Sequence, residues 1–121
     1  MRPFTVLHVP ATAATIDECT RETVENIRDL QRLVGGYVEE AHLPAAGGVV
    51  MYGDEDGLTK DSPTNLLATS ILSHYSDKAG EERLQRVAGD VVFASYTDEA
   101  GAGDVAEDFL ADVRANARPL V

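Results

Sequence analysis

Two hydrophobic spacings meet at the double glycine Gly35-Gly36. Ahead of it, apolar residues recur at intervals of three or one, as along one side of a helix: Val24, Ile27, Leu30, Leu33 and Val34. Gly35 stands where helices commonly end, because glycine adopts a positive φ without strain. Residues 37–43 then alternate with a period of two, as in a half-buried strand. The sequence predicts a helix capped by Thr20 or Thr23, which ends at Gly35 and passes directly into a strand over 37–43.

The same spacings, together with turn residues, predict the remaining elements. Further strands are predicted at 4–9, 13–20, 49–53 and 84–96, the last being strongest at 91–96. A second helix is predicted to begin with Ser62 as N-cap and Pro63 in its first turn. A third is predicted from 104 to about 116, because Asp104 and Glu107 have capping-box spacing. The apolar residues expected to face the core from these two helices are Leu67, Ile71 and Tyr75, then Val105, Phe109, Leu110 and Val113. Residues 44–48 are predicted as a turn, and 76–82 and 97–103 as loops.

The acidic segment Asp54-Glu55-Asp56-Gly57 has two interpretations. Asp-Gly suits a tight hairpin turn, because both residues tolerate positive φ. The segment also resembles part of a calcium-binding loop, but such a loop needs one further ligand before it and a glutamate after it, where Tyr52 and Pro63 stand. The hairpin turn is therefore preferred, and charge reversal at Asp54, Glu55 and Asp56 is expected to leave the fold intact.

Composition predicts the fold class and the compartment. The chain has 121 residues, 44% of them hydrophobic, which is enough to bury a core without disulfides or metal. Cys19 is the one cysteine, which fits a reducing cytoplasm, and no apolar run approaches the length of a membrane span or the centre of a signal peptide. We expect a single cytoplasmic α+β domain, with about three helices on one face of a mostly antiparallel sheet of four or five strands.

The charge balance bears on the choice of partner. The chain carries 21 acidic and 10 basic residues, a net charge of -11. Such a surface repels nucleic acid and anionic membranes, whose binding needs clustered Lys and Arg, so neither is expected as a partner. The acidic surface either docks on a basic partner or imitates nucleic acid, or else it reflects solubility and a host with GC-rich codons. The latter interpretation is the simpler one, because the carboxylates are spread along the chain.

Four segments together resemble a family of small domains of unknown function that are encoded mostly by bacteriophages and plasmids: LQRLVGGYVEEAHL at 30–43, DEDG at 54–57, SPTN at 62–65 and VAGDVVFAS at 87–95. The resemblance covers about residues 4–96. Its most specific piece is the run from Leu33 to Tyr37, which includes Gly35 and Gly36, and Pro63 with Asn65 forms its Pro-x-Asn element. Residues 66–80 are longer and more helical than the family pattern, and the helix at 104–117 is expected to be an addition. The resemblance implies an α+β fold and a mobile-element origin, without an activity.

No spacing in the chain predicts catalysis. The candidate groups are Cys19, His8, His42 and His74, of which His8 and His42 lie in predicted strands and could approach one another across a sheet. The motifs of zinc hydrolases, paired cysteines, phosphate loops and nucleophile elbows are absent from the sequence. We therefore expect no enzyme, no catalytic residue, no metal and no cofactor.

Two function classes remain. The first is a modulator whose acidic surface, including the segment 54–56, binds a basic site on a host or anti-phage defence protein without covalent chemistry. The second is a small-ligand binder, as a dimer or higher homo-oligomer, that captures and sequesters a nucleotide-like signal between subunits. An anionic ligand needs convergent arginines, and the available pairs are Arg28 with Arg32 and Arg83 with Arg86.

Overall fold

The computed structural model describes residues 2–43, 47–80 and 86–116. These residues form six strands in one sheet and three α-helices, so the predicted α+β class is confirmed, with one or two more strands than expected. A short 3-10 helix, Ile16–Glu18, precedes the second strand. In chain order the elements are β1 (Phe4–Val9), β2 (Thr20–Val24), α1 (Ile27–Val34), β3 (Val38–His42), β4 (Val49–Asp54), α2 (Leu66–Lys78), β5 (Val91–Thr97), β6 (Gly101–Gly103) and α3 (Glu107–Asn116).

The strands pair antiparallel in the order β2-β1-β5-β4-β3. Strand β5 lies at the centre, with β4 on one side. On its other side, residues 91–93 pair with β1 and residues 95–97 pair with β6. The predicted hairpin of 37–43 with 49–53 is confirmed as β3 and β4. This order leaves β2 and β3 at the two outer edges of the sheet.

Helices cover both faces of the sheet, so the expectation that all three lie on one face is wrong. On one face, Leu30 and Leu33 of α1 pack on β-strand residues that include Val50 and Val92. On the other face, α2 and α3 pack on a second set that includes Met51 and Phe93. The physical reason lies in β4, which is buried at successive positions from Val49 to Gly53 and therefore needs cover on both sides.

The first helix begins later than its hydrophobic spacing predicts. Asn26 is the N-cap, and its side-chain oxygen accepts a hydrogen bond from the Asp29 N–H at 3.1 Å. Val24 lies in β2 and is fully buried, whereas Ile27, the first helical residue, is 50% exposed. Thr20 and Thr23 are therefore strand residues and do not cap the helix.

The predicted helix end at Gly35 is confirmed. Gly35 has a φ of 83°, and its N–H donates to the carbonyl oxygen of Gln31 at 2.8 Å. Gly36 is needed for a different reason, since a Cβ there would lie 2.6 Å from the Asp54 carboxylate. Gly35 thus supplies the left-handed residue that ends the helix, and Gly36 lets the backbone pass close to Asp54 at the end of β4.

Gly35→Val is expected to lower the free energy of unfolding by about 1–2 kcal/mol, because a β-branched residue is strained at positive φ. The space around a Cβ at this position is open, so the strain is that of the backbone alone. Urea denaturation measures the change. Gly35→Asn is the matched control, since asparagine tolerates the left-handed region and should cost less. Equal stability of the wild type and Gly35→Val would contradict the left-handed helix end.

The starts of the other two helices also differ from prediction. Helix α2 begins at Leu66 with Asn65 as N-cap, while Ser62 and Pro63 lie in the preceding loop. It continues to Lys78 through part of the predicted loop 76–82, of which 81 and 82 lie outside the described residues. In front of α3, Asp104 accepts a hydrogen bond from the Thr5 N–H at 2.8 Å instead of opening the helix. The predicted core residues of both helices are buried, and no helix in the described ranges is long and apolar enough to cross a membrane.

Three predicted segments change their assignment in the structure. The partner of β1 is β2 at Thr20–Val24, since part of the predicted strand 13–20 forms the 3-10 helix. The predicted loop 97–103 contains β6, which pairs with the end of β5. Of the strand predicted at 84–96, 91–96 is confirmed as β5, 86–90 forms a loop with one bridge from Ala88 to Thr64, and 84–85 lie outside the described residues.

Candidate functional site

A pocket of about 320 Å³ opens where β3, β4 and β5 meet two loops. Its sheet side consists of Glu39 and Ala41 of β3, Met51 and Gly53 of β4, and Val91 of β5. Glu39 pairs with Gly53 and Ala41 with Met51, so these positions share one face of the sheet, the face that α2 and α3 also cover. Gly53 has no side chain on this face, which leaves space between its neighbours.

The other walls of the pocket come from loop 54–58, which begins with the last residue of β4, and from loop 86–88, before β5. The two loops approach closely, since a Cβ on Gly57 would lie 3.1 Å from the carbonyl oxygen of Ala88. Leu58 and Val87 add apolar surface, and charged groups stand among them. The pocket therefore combines polar and apolar surface and carries four ionisable side chains: Glu39, Asp54, Glu55 and Arg86.

Two of these four charged groups already have partners. Arg86 donates a hydrogen bond to Thr64 Oγ1 at 2.8 Å and a longer one to the carbonyl oxygen of Ser62 at 3.4 Å. Asp54 is paired with Lys60. Glu39 and Glu55 are exposed, and within the described ranges neither has an ion-pair partner. The two glutamates outweigh Arg86, so the pocket attracts cations.

Asp54 holds one wall of the pocket in place. Its side chain is only 5% exposed, and its two oxygens accept hydrogen bonds from Lys60 Nζ at 2.6 Å and from the Asp56 N–H at 2.9 Å. Burial opposes ionisation of this carboxyl, but the two hydrogen bonds and the positive charge of Lys60 together outweigh burial and lower the pKa of Asp54 below its ordinary value. Lys60 Nζ also donates to the carbonyl oxygen of Gly35 at 3.2 Å. The pair therefore ties the end of β4 to the turn between α1 and β3.

The acidic segment 54–57 does not form the predicted hairpin turn. Residues 55–60 are turn residues, the next named element along the chain is the helix α2 and not a strand, and the positive φ falls on Asp61, at 58°. The three acidic candidates also differ in environment, since Asp54 is nearly buried and Glu55 lines the pocket. Asp56 lines a separate hollow of about 370 Å³ beside Tyr37 and Lys60.

The arginine pairs that were candidates for an anion site do not converge. Arg28 and Arg32 are exposed on α1, which packs on the opposite face of the sheet from the pocket, and Arg32 lies 3.5 Å from Asp29. Arg83 lies outside the described residues. Arg86 lines the pocket, but it does so beside two glutamates.

The outer edge of β3 adjoins this pocket. The carbonyl oxygen of Tyr37 accepts a hydrogen bond from the Glu55 N–H at 2.9 Å, and the Leu43 N–H donates to the carbonyl oxygen of Val49 at 3.0 Å. The backbone hydrogen-bonding groups of Tyr37 and Leu43 therefore point towards β4 and Glu55. Because hydrogen bonds alternate along an antiparallel pair, the backbone groups of the even-numbered residues point outwards: Val38, Glu40 and His42. In the part of the chain that the structure describes, no strand pairs with this edge.

The side chains along the β3 edge are polar and mostly exposed. Glu39, Glu40 and His42 are exposed, and Tyr37, just before the strand, is 68% exposed. The His42 ring contacts the Tyr96 ring with centroids 4.7 Å apart. Charged side chains discourage an edge strand from pairing with apolar strands, and carboxylates favour basic ones. The backbone groups of this edge can therefore pair with an added strand, and its carboxylates favour a strand that carries basic side chains.

The candidate catalytic residues are dispersed over the fold. His8 and His42 lie on β1 and β3, with β5 and β4 between them, so their predicted approach across the sheet is wrong. His8 Nε2 instead lies 3.1 Å from an Asp90 oxygen. Burial and two neighbouring carboxylates raise the pKa of Cys19 to about 11, so its thiol is protonated at neutral pH. Among the described residues, no group of three or more His, Cys, Asp and Glu side chains could hold a metal ion.

A polar cluster between α2 and α3 has a structural explanation. The Tyr75 hydroxyl donates to Oδ2 of Asp112, and Asn116 Nδ2 donates to Oδ1 at 2.7 Å. His74 Nε2 lies 3.4 Å from Oδ2 of the same carboxylate. The hydrogen bond from Tyr75 is the main cause that lowers the pKa of Asp112, and burial raises the pKa of Tyr75. The cluster joins the two helices through an ionised carboxylate.

Sequence reasoning missed Glu39, Glu40 and Leu58 as site residues. The two adjacent glutamates in a predicted strand were a usable signal, because charges at successive positions favour an edge strand over a central one. Leu58 carried no signal, since its place in the pocket depends on loop 86–88, which is distant in sequence.

Comparison with known families identifies the family of the chain. The domain of unknown function DUF3846 matches residues 4–117, a range that includes every strand and helix described above. No curated protein and no solved structure matches the chain. The chain therefore belongs to the DUF3846 family, a family of domains of unknown function.

Proposed function

We propose that this protein acts by non-covalent recognition of another protein, which adds an extended segment to the outer edge of β3. The observation that carries the proposal is this edge, with which no strand of the described residues pairs, and which places the outward backbone groups of Val38, Glu40 and His42 beside an open pocket. Strand addition supplies affinity through backbone hydrogen bonds, and side-chain pockets supply specificity. This site offers both in adjacent positions.

Charge favours a basic partner. The chain has a net charge of -11, and Glu39, Glu40 and Glu55 concentrate carboxylates at this edge. Opposite charge on the partner speeds association and makes it sensitive to salt. A nucleotide-like ligand is the weaker alternative, because Arg86 is the one cation among the described pocket residues and glutamates flank it. Nucleic acid is disfavoured for the same reason.

The biological setting that we propose is that of an accessory protein of a phage or a related mobile element, which works in the host cytoplasm. The resemblance of the run from Leu33 to Tyr37 to phage and plasmid domains supports this setting. Its partner would be a host or anti-phage defence protein with a basic extended segment. Binding to such a segment would block that partner without any covalent step.

Glu40→Pro is expected to abolish partner binding and leave the fold intact. Proline removes the outward N–H of residue 40, which the β3–β4 pairing does not use, and proline is tolerated on such edges. The measurement is a pull-down from bacterial lysate at low and moderate salt, in which the wild type retains a stoichiometric basic protein. The variant should retain at least about tenfold less, which corresponds to about 1.4 kcal/mol of binding free energy.

Glu40→Ala is the matched control, since it removes the same carboxylate but keeps the N–H. It should weaken binding less than Glu40→Pro does, and thermal unfolding of both variants establishes that they remain folded. A folded Glu40→Pro protein that retains the partner as fully as Glu40→Ala would rule out strand addition at β3. If ultracentrifugation shows a wild-type dimer that Glu40→Pro dissociates, the segment on this edge belongs to a second copy of the chain.

A further inference from the structure

We propose that the pocket beside β3 receives a single arginine or lysine side chain from the segment that pairs with this strand. This inference rests on the proposed function and adds to it the identity of one side chain. It goes beyond charge complementarity, because it assigns the position of that side chain on the partner and the two glutamates that bind it.

The geometry of strand addition sets the position. Side chains of paired strands alternate between the two faces of a sheet, and directly opposite residues share a face. A residue of the added segment that lies opposite Glu39 therefore projects onto the face that carries Ala41, Met51 and Gly53. That face opens into the pocket at this point. Residues on either side of it would project onto the face of α1.

The chemistry of the lining matches a long cationic side chain. Leu58, which is 42% exposed, offers apolar surface to its methylene groups, and the Glu39 and Glu55 carboxylates offer acceptors to its charged end. Both glutamates are exposed and lack ion-pair partners in the described part of the chain, so binding need not break an existing pair. Asp54 is excluded as an acceptor for the ligand, because Lys60 already occupies it.

The size of the pocket agrees with one side chain. Sites for whole small molecules commonly have volumes of about 300–1,000 Å³, and this pocket of about 320 Å³ stands at the lower limit. Arg86, held by Thr64, stands on the wall opposite β3 and adds positive charge there. Arg86 therefore directs a cation towards the two glutamates and away from the loop 86–88.

The test uses two synthetic peptides and the full chain labelled with ¹⁵N. One peptide, Thr-Thr-Arg-Thr-Thr with blocked ends, has a backbone that favours the extended form. The other carries citrulline in place of arginine, which removes the charge and keeps the shape. The arginine peptide should shift the amide signals of Gly53, Gly57 and Ala88, and at low salt it should bind about tenfold more tightly, as charge-assisted hydrogen bonds allow.

Variants identify the two acceptors. Glu39→Gln and Glu55→Gln should each weaken binding of the arginine peptide by about three- to tenfold and leave the citrulline peptide unaffected. Glu99→Gln is the matched control, because Glu99 is exposed in the turn after β5, at the other end of that strand from Val91. It removes one charge from the protein and should leave both peptides unaffected. Loss of affinity in all three variants alike would reduce the effect to net charge and overturn the inference.

The outcomes separate this inference from the proposed function. Equal binding of both peptides, with shifts along Val38, Glu40 and His42, would overturn the side-chain pocket and support strand addition. Shifts at Gly53 and Gly57 caused by the arginine peptide and by N-acetylarginine amide, without shifts along β3, would support the pocket and contradict strand addition. Absence of shifts at millimolar arginine peptide would overturn the inference outright.

Discussion

Asn65→Ala is expected to lower the free energy of unfolding by about 3 kcal/mol, because it removes the hydrogen bonds of two buried backbone groups and one partly buried one. Asn65 is fully buried, and its Nδ2 donates to the carbonyl oxygens of Val9 and Gly89 at 2.9 and 3.0 Å. Its Oδ1 accepts from the Ala68 N–H at 3.0 Å and so caps α2. One side chain thus joins the end of β1, the loop before β5 and the start of a helix. Urea denaturation should show a lower midpoint with an unchanged slope.

Two control variants separate the roles of Asn65. Asn26→Ala removes the exposed N-cap of α1 and should cost only about 1 kcal/mol, the usual value for a cap. Asn65→Asp keeps an acceptor for the cap but cannot donate to Val9 and Gly89 at neutral pH. It should therefore be at least as unstable as Asn65→Ala. An Asn65→Asp protein as stable as the wild type would show that the helix cap alone accounts for the contribution of Asn65 to stability.

Local chemistry in the sequence predicts part of this fold correctly. The end of α1 at Gly35 and the β3–β4 hairpin depend on neighbours in sequence, and both are confirmed. The buried residues of α2 and α3 follow from helical spacing within each element. In each case the residues that decide the structure belong to one element or to two consecutive elements of the chain.

The errors arise where distant pairing decides the structure. Val24 has helical spacing to Ile27, yet it belongs to β2 because Phe4 pairs with it across the β1–β2 ladder. Ser62-Pro63 is a good local helix start, but Asn65 is the N-cap of α2. Its side chain is held in that position by hydrogen bonds to the end of β1 and to the loop before β5. Strand β6 consists of Gly-Ala-Gly and has no hydrophobic pattern, since only its backbone pairs with β5.

The candidate site was harder to predict than the fold, for a related reason. Its pocket joins residues 39–58 with residues 86–91, and no spacing within either segment encodes their approach. A missed signal was the run of four apolar residues from Val49 to Tyr52, which indicates a strand covered on both faces. If β4 is covered on both faces, it is an internal strand of the sheet, and β3, its hairpin partner, lies beside it. The adjacent glutamates of β3 then indicate that β3 is the edge strand.

Asp54→Lys is expected to destabilise the fold by about 1–2 kcal/mol, because it removes the carboxylate that holds the half-exposed Lys60 ammonium and places a second cation beside it. The structure thus separates Asp54 from its two acidic neighbours, although the sequence predicts that charge reversal at all three is tolerated. Glu55→Lys and Asp56→Lys are the matched controls, since both residues are exposed and their side chains are not needed to hold the turn. Thermal unfolding of the three variants measures the difference.

Acid titration gives a second measure of Asp54. Its pKa is lowered in the folded state, so its contribution to stability is fully present above the ordinary carboxyl pKa of about 4 and is lost as the pH falls towards the lower folded value. Asp54→Asn should therefore lose less stability than the wild type between neutral and acid pH. Parallel acid profiles for Asp54→Asn and the wild type, with a stable Asp54→Lys protein, would show that the pair with Lys60 does not hold the end of β4. The wall of the pocket would then depend on the contact between loops 54–58 and 86–88 instead.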